Sequence, residues 1–467
     1  MLNCIHFTIL RTKHNSLCIL LNFIFICFYF SLLGQSNVES RLESSLTASN
    51  KLLENIFSIS SLAMLKKSIN GKETEENMPV VTADIPALVA FLVQQRNLDP
   101  EDMELQLGLD GGQGILKVCL LVYQAVDSEK FSGMKRMKYS DGVGGRMAKM
   151  TSVKRLMVIA AAPGVEESWH NIKTILDKLE ISSLSGSILS VDMKVQLILC
   201  GKQTASSKHP CPYCECSPPF TCNCPRNTIG SLESHYASYV SAGSKKSTAK
   251  NFQNCVNPPL LQGAPDLQII KILSFPELHV MTGVVGHLAT QMMKEIPEGE
   301  EVISQFIKDQ NISWCAYRPG TFEGNQARKF LKFSNKLVEP AKNLPEPSQQ
   351  KAVAFVNTIM QFNSVVIACF GQELQPNFKE EIIQFEALYR ELSISVTPKV
   401  HLVLEHAHEF LESKNFVAGL GAWSEQAMES VHHDLKIEWE RTKVKTSHPD
   451  FEKKFLECLV KYNSKHV

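Results

Sequence analysis

Charge of one sign is missing from this chain: 48 lysines and arginines meet 48 aspartates and glutamates, so the formal net charge is zero. No global field therefore argues for a nucleic-acid partner, and any basic surface must be local. A GxSxG elbow and an HExxH helix are also missing, which leaves Ser-His-Asp hydrolysis and zinc proteolysis without support. The turn Gly111-Gly112-Gln113-Gly114 is followed by neither Lys-Ser/Thr nor a helical pattern, so it reads as a turn and not as a phosphate loop. Fourteen cysteines are present, but not spread as a disulfide framework would be. Five crowd between Cys211 and Cys224 among prolines and an asparagine, a pattern of metal ligation in a reducing compartment. The strand–helix setting of a redox CxxC is absent there, which argues against a thioredoxin-like role.

What is present suffices for more than one domain. With 467 residues, 44% hydrophobic and 21% charged, the chain has a globular composition and length for two or three domains. Arg11 and Lys13 precede an apolar run from Cys18 to Leu33 that reads as a signal peptide or signal anchor. Secretion would expose the thiols to oxidation and remove any nucleic-acid substrate. The cysteine usage favours the alternative, in which residues 1–35 lie upstream of the working protein and Met64 or Met78 is the start. That reading implies a nuclear protein. A genuine signal would imply a secreted or membrane-anchored one. Residues 36–79 are polar and weakly helical, and are expected to form a linker.

Organised sequence is expected from about Val80. A helix over Ile85–Gln95 leads into Leu105–Asp110, whose strict alternation predicts a strand ending on an acid. After the glycine turn, Ile115–Tyr123 completes a hairpin with Asp110 at its mouth. Residues 129–155 hold Lys130, Lys135, Arg136, Lys138, Arg146, Lys149, Lys154 and Arg155 against only Glu129 and Asp141. This is either a solvated loop or a phosphate-contacting surface. Leu156–Ala162 predicts a third strand, Ser168–Leu179 a helix, and Ser187–Val191 a fourth strand that delivers Asp192. Three consecutive strands, a helix and a strand ending in an acid form the opening of a ribonuclease-H-like core. In that arrangement the first and fourth strands are neighbours, so Asp110 and Asp192 would be close enough to need a divalent cation, Mg²⁺ or Mn²⁺. An Asp at a strand end is, however, commonly a turn or cap residue.

From Asp266 the chain reads as helical almost throughout, with helices predicted over Pro276–Glu295, Glu300–Asp309, Glu323–Lys336, Gln349–Phe370, Phe378–Leu392, Pro398–Glu412, Ala422–Arg441 and Pro449–Tyr462. The stripe Leu278, Met281, Val285, Leu288 and Met292 reads as core. Two features carry chemistry. His401 and His406 lie a little over one helical turn apart and could complete a tetrahedral metal site with Cys211 and Cys214. The rival geometry is local, with Cys222 and Cys224 closing the site inside the loop, and a plain pair of surface or core histidines is the third option. Further on, Ser424 can cap a helix on which Glu425 and Glu429 share a face, at a cost of a few tenths of a kcal/mol unless a cation answers them. They could equally be solvated glutamates.

Together these motifs resemble the catalytic core of the Transib transposases and the related V(D)J recombinase, within the wider DDE superfamily. Asp110 with its glycine-rich turn resembles the first acid. Asp192, nineteen residues before Cys211, resembles the second. His401 and His406 match an HxxxxH zinc half-site. Gly421-Ala422-Trp423 leads, six residues beyond the Trp, to Glu429 as the third acid. Asn325 with Ala327, Arg328 and Lys329 resembles a motif of the helical insertion. Coverage is about residues 80–467. The end-recognition domain that ordinarily precedes the core has no counterpart, and Cys216, Cys222 and Cys224 are unexplained by the pattern.

The resemblance implies an α/β fold: a ribonuclease-H-like core (80–205), a mostly helical zinc-binding insertion (206–410), and C-terminal helices completing the core (411–467). It implies that Asp110, Asp192 and Glu429 bind divalent ions for phosphodiester hydrolysis and strand transfer. Zinc at Cys211, Cys214, His401 and His406 would be structural. DNA would be the partner of a homodimer, without a small-molecule substrate. Lys135, Arg136, Lys138, Lys154, Arg155, Arg328 and Lys329 would contact it, and Trp423 would stack on an extruded base or else be a buried helix-start aromatic. Two other readings stay open: a catalytically silent scaffold derived from a transposase, and an unrelated secreted protein with a cysteine-rich loop.

Overall fold

Met103–Asp110 (β3), buried from Gln106 to Leu109, and the apolar run of Ile115–Val126 (β4) fold back on one another through the glycine turn. Their antiparallel register runs from Met103 opposite Gln124 to Asp110 opposite Lys117. In this computed structural model the described residues are 50–67, 73–100, 103–126, 136–137, 156–181, 187–220, 224–316, 320–415 and 418–467. Met157–Pro163 (β6), buried along its whole length, pairs antiparallel with β4, with a register shift at Val118/Cys119. Ile188–Val191 (β7) then lies parallel to β3, from Gln106 beside Ile188 to Leu109 beside Val191. The first and fourth strands expected from the sequence are therefore neighbours. Their parallel direction carries Asp110 and Asp192 to the same end of the sheet.

The sheet is larger than the sequence suggested. Phe57–Lys67 (β1) and Glu73–Ala83 (β2) pair antiparallel, and β2 joins β6 through Val81 and Thr82. The order is β1-β2-β6-β4-β3-β7, with the two-residue Arg136–Met137 (β5) against β4. The result is a mixed α/β fold whose sheet is mostly antiparallel. Residues 57–67 and 73–79 are thus sheet, not linker. The first five residues of β2 are all exposed, so no apolar alternation marks the strand, and it forms by pairing and not by propensity.

Helices cover and lock the sheet. Ile85–Arg96 (α1) is capped by Asp84, whose carboxylate accepts from Ala87 N, and stopped by Asn97 at φ 50°. Buried Arg96 donates to Val122 O and, at the other end of the chain, to His466 O. Trp169–Lys178 (α2) starts at the Ser168 cap and Met193–Leu199 (α3) at the Asp192 cap. The later helices fall close to their expected bounds: Glu277–Glu295 (α4), Gly299–Asp309 (α5), Gly324–Lys332 (α6), Ser348–Val365 (α7), Phe378–Glu391 (α8), Gln426–Thr442 (α9) and Phe451–Ser464 (α10). Ile229–Ser241, a capping-box helix, was not anticipated. Met281, Val285, Leu288 and Met292 are buried, so that stripe is core, each such side chain contributing roughly 1.5–3 kcal/mol. Ser348–Phe370 is long and apolar enough to span a membrane, but most of it is buried among the other helices.

Ile56–Val467 forms one compact unit, so the expected core, insertion and C-terminal pieces pack together. In α10, Asn463 uses its amide to bridge both Val158 N and Val158 O, 2.8 and 2.9 Å away. Met1–Asn55 is a separate unit, described only from Asn50. The apolar run Cys18–Leu33 lies outside the described residues.

Candidate functional site

Among the described residues, two clusters of metal-capable side chains form. In the first, the loop after α3 presents Cys211 and Cys214. Buried Lys202 donates to Cys211 O, 2.7 Å away, and Asn227 Nδ2 donates to Pro212 O and Cys214 O, fixing the backbone between the thiols. The histidines come from a helix whose middle turn, Leu402–His406, is π-wound: Ala407 N donates to Leu402 O, five residues back. In a regular α-helix, residues five apart face about 140° away from each other. The π turn brings His401 and His406 together, with ring centroids 5.0 Å apart.

His406 Nε2 lies 3.4 Å from Cys211 Sγ and His401 Nε2 lies 3.3 Å from Cys214 Sγ. All four ligand atoms are buried and within 4.8 Å of one another, so the cluster could hold a structural metal such as zinc. An outer shell is present too. His406 Nδ1 is 2.7 Å from Glu409, which Arg226 engages in turn. Burial would push the Cys211 thiol up, but hydrogen bonding with Cys214 and the charge of Lys202 outweigh it and bring it below its ordinary value. The site thus spans the fold. In the rival local arrangement Cys222 lies outside the described residues, and Cys216 is hydrogen-bonded with Cys224.

The second cluster surrounds the end of β3. Asp110 Oδ1 accepts from Gly112 N, 3.2 Å away, and Oδ2 meets His432 Nε2 from α9. Asp110, Glu429 and His432 offer ligand atoms that all lie within 4.8 Å of one another. Lys117, opposite Asp110 on β4 and buried, donates to Gly112 O and Ile115 O and so holds the turn. Burial alone would raise the Asp110 carboxyl. The hydrogen bond and charge of His432, with Lys117 behind them, hold it at about 2. Burial drops Lys117 to about 8 despite Asp110 beside it.

The turn glycines are demanded by their neighbours. A Cβ on Gly112 would stand 2.5 Å from His432 Nε2, and one on Gly111 2.6 Å from Glu167 Cγ. Glu167 accepts from Gly111 N, 2.6 Å away, and pairs with Lys194.

Asp192 reaches the same end of the sheet but plays another part in this state. Its Oδ1 accepts from Val195 N, 2.7 Å away, capping α3, and it is not a member of the 4.8 Å cluster. Burial raises its carboxyl, helped by the charge of Asp110 and opposed by His279. Glu429 is raised by burial and then by Asp110. Asp192 and Glu429 are thus each pushed up by the charge of Asp110 in addition to their burial.

A buried polar network braces α9. Ser424, one residue ahead of the Glu425 cap position, accepts at Oγ from Gln426 N and donates to Glu277 Oε2, 3.0 Å away. Glu277 is fully buried and pairs with Arg328, 2.7 Å away. Glu425 is buried beside His279, the cation that answers the pair of glutamates.

Three expected nucleic-acid contacts are occupied elsewhere. Arg328 is committed to Glu277, and Lys329 Nζ donates to Asn311 O. Trp423 is 4% exposed and packs edge-on against Phe410, so its ring has no open face for a base. Lys135, Lys138, Lys154 and Arg155 lie outside the described residues. So does the rest of the basic stretch except Arg136 in β5, whose side chain is likewise not described.

Sequence reasoning missed His432, His279, Glu277, Lys117 and Glu167. His432 alone carried a readable signal, three residues after Glu429 and hence on the same helix face. The chain matches no protein-family model, and none of the curated proteins resembles it.

Proposed function

We propose that this chain is a divalent-metal-dependent protein that cleaves DNA phosphodiesters and transfers strands, built on a ribonuclease-H-like core of the DDE type. The observation that carries the reading is the parallel pairing of β3 with β7. It sets Asp110 and Asp192 at one end of the sheet, where α9 adds Glu429. A bound divalent cation would supply a lowered water pKa and stabilise the departing 3′ oxygen.

The chain's own residues prepare that chemistry. His432 and Lys117 keep Asp110 ionised. Asp192 and Glu429, raised by burial, gain most from a neighbouring cation. Glu425 and His279 fix the start of α9, and zinc on the two cysteines and two histidines would pin the loop behind Asp192 to the helix before α9. DNA as partner, a homodimer on paired ends and a nuclear site follow from this reading.

A second reading is a catalytically silent scaffold that binds DNA or another partner. It is favoured by the contact of His432 with Asp110, by the engagement of Arg328 with Glu277 and of Lys329 with Asn311 O, and by the burial of Trp423.

Calorimetric titration of the full chain with Mn²⁺, alone and with duplex DNA, separates the two. Binding that weakens in each of Asp110→Ala, Asp192→Ala and Glu429→Ala, with zinc content unchanged, supports the first. A folded, zinc-loaded chain that binds no Mn²⁺ even with DNA supports the second.

A further inference from the structure

We propose that His432 is a direct ligand of the divalent cation at Asp110 and Glu429, making the site a mixed oxygen and nitrogen one that takes Mn²⁺ in preference to Mg²⁺. The inference rests on the metal-dependent reading above and deepens it.

Three observations carry it. The ligand atoms of Asp110, Glu429 and His432 already lie within 4.8 Å of one another, a span that one ion can bridge. Glu429 and His432 stand three residues apart on α9, and a Glu-x-x-His pair on one helix face is a recurrent metal-binding arrangement in carboxylate-rich centres. The third concerns space. His432 is buried, and its Nε2 stands only 2.5 Å from where a Cβ on Gly112 would fall, so the turn after Asp110 has room for the imidazole only because it carries glycine there. Lys117 fixes that turn by donating to Gly112 O. The ring is thus aimed at Asp110 by the backbone on one side and by helix α9 on the other.

Ligand chemistry then sets the choice of ion. Mg²⁺ takes oxygen ligands and keeps its waters, whereas an imidazole nitrogen is better matched by first-row transition ions. Replacing one oxygen by Nε2 therefore tilts the site towards Mn²⁺. A site built from carboxylates alone would lack that bias.

The test uses the full chain with its cysteine–histidine site filled with zinc, labelled with ¹⁵N-histidine and unlabelled in parallel. Pulsed electron paramagnetic resonance of bound Mn²⁺ is expected to show a directly coordinated histidine nitrogen in the parent, changing isotope with the label. In His432→Ala that coupling is lost and Mn²⁺ affinity falls by at least the roughly 10–100-fold that loss of an outer-shell partner alone costs, while Mg²⁺ affinity falls less. The parent spectrum needs no variant, so a misfolded His432→Ala does not remove the test.

Mn²⁺ that binds through Asp110 and Glu429 without histidine coupling overturns the proposal and leaves the metal-dependent function standing. Mn²⁺ binding that is indifferent to Asp110→Asn overturns both.

Discussion

His279 stands between Glu425, just ahead of α9, and Glu429 in its first turn: Nδ1 is 2.9 Å from Glu425 Oε1 and Nε2 is 3.5 Å from Glu429 Oε1. Burial would strip the proton from this imidazole, but the hydrogen bond and charge of Glu425 raise it to about 9, so it is a cation at neutral pH. It is the positive charge that lets Asp192, Glu425 and Glu429 share one wall. Removing Glu425, which is 3% exposed, leaves that cation buried and unpaired. Glu425→Ala is expected to destabilise the fold by about 3–5 kcal/mol, read by urea denaturation. A loss under 1 kcal/mol would mean the pair is solvated after all.

The zinc cluster yields the second prediction. Purified chain should carry a single zinc, and Cys214→Ser or His401→Ala should lose it. Because the site joins the loop after α3 to the helix ahead of α9, metal loss should disorder both segments. Hydrogen exchange is the measurement. Faster exchange over residues 202–216 and 398–413 after chelation is expected, with β4 and β6 still protected. Unchanged exchange in those segments would show that the cluster is held without metal.

Much of this architecture is legible in the sequence, and the exceptions have physical causes. β3, β4, β6 and β7 were marked by alternation or apolar runs, and Asp192 by its position where the pattern changed. The β1–β2 hairpin was invisible because Glu73–Asn77 are all exposed and nothing apolar repeats there. The pairing of His401 and His406 with Cys211 and Cys214 was inferable from ligand type, but the π turn that makes it geometrically possible has no sequence signature. The pairing of Arg328 and the burial of Trp423 depend on Glu277 and Phe410, partners distant in sequence. No local pattern can name such a partner.

Glu277 gives a pH prediction. Fully buried, it is raised to about 7 by burial, with Arg328 opposing the shift. A carboxyl raised on folding binds its proton more tightly in the native state. Its contribution is therefore complete below the ordinary glutamate range and is lost as pH rises through about 7. Glu277→Gln keeps the shape and removes the titration. The melting temperature of the variant minus that of the parent should rise between pH 5 and pH 8. A flat difference would place Glu277 in an ionised, fully compensated pair with Arg328 throughout.

Asn171 tests the hairpin that the sequence hid. From α2 its carboxamide accepts from Leu65 N at 2.7 Å and donates to Leu65 O at 2.8 Å and Glu166 O at 2.9 Å. Leu65 lies on β1, the edge of the sheet, so a side chain supplies the pairing that a further strand would give and closes that stretch of edge to other chains. Asn171 is fully buried, and its loss would leave several backbone groups without partners at about 1–3 kcal/mol each. Asn171→Ala is expected to cost about 2–4 kcal/mol and to speed amide exchange at Leu65 before that of β4. The same logic applies to a chain starting at Met78. It would lack β1 and the first half of β2, leave Asn171 facing solvent and expose the remainder of β2 as a bare edge. Such a chain should aggregate on expression where the full chain does not. A soluble, monomeric chain from Met78 with native melting would show that the hairpin is an accessory and that the sheet is complete from β2 onward.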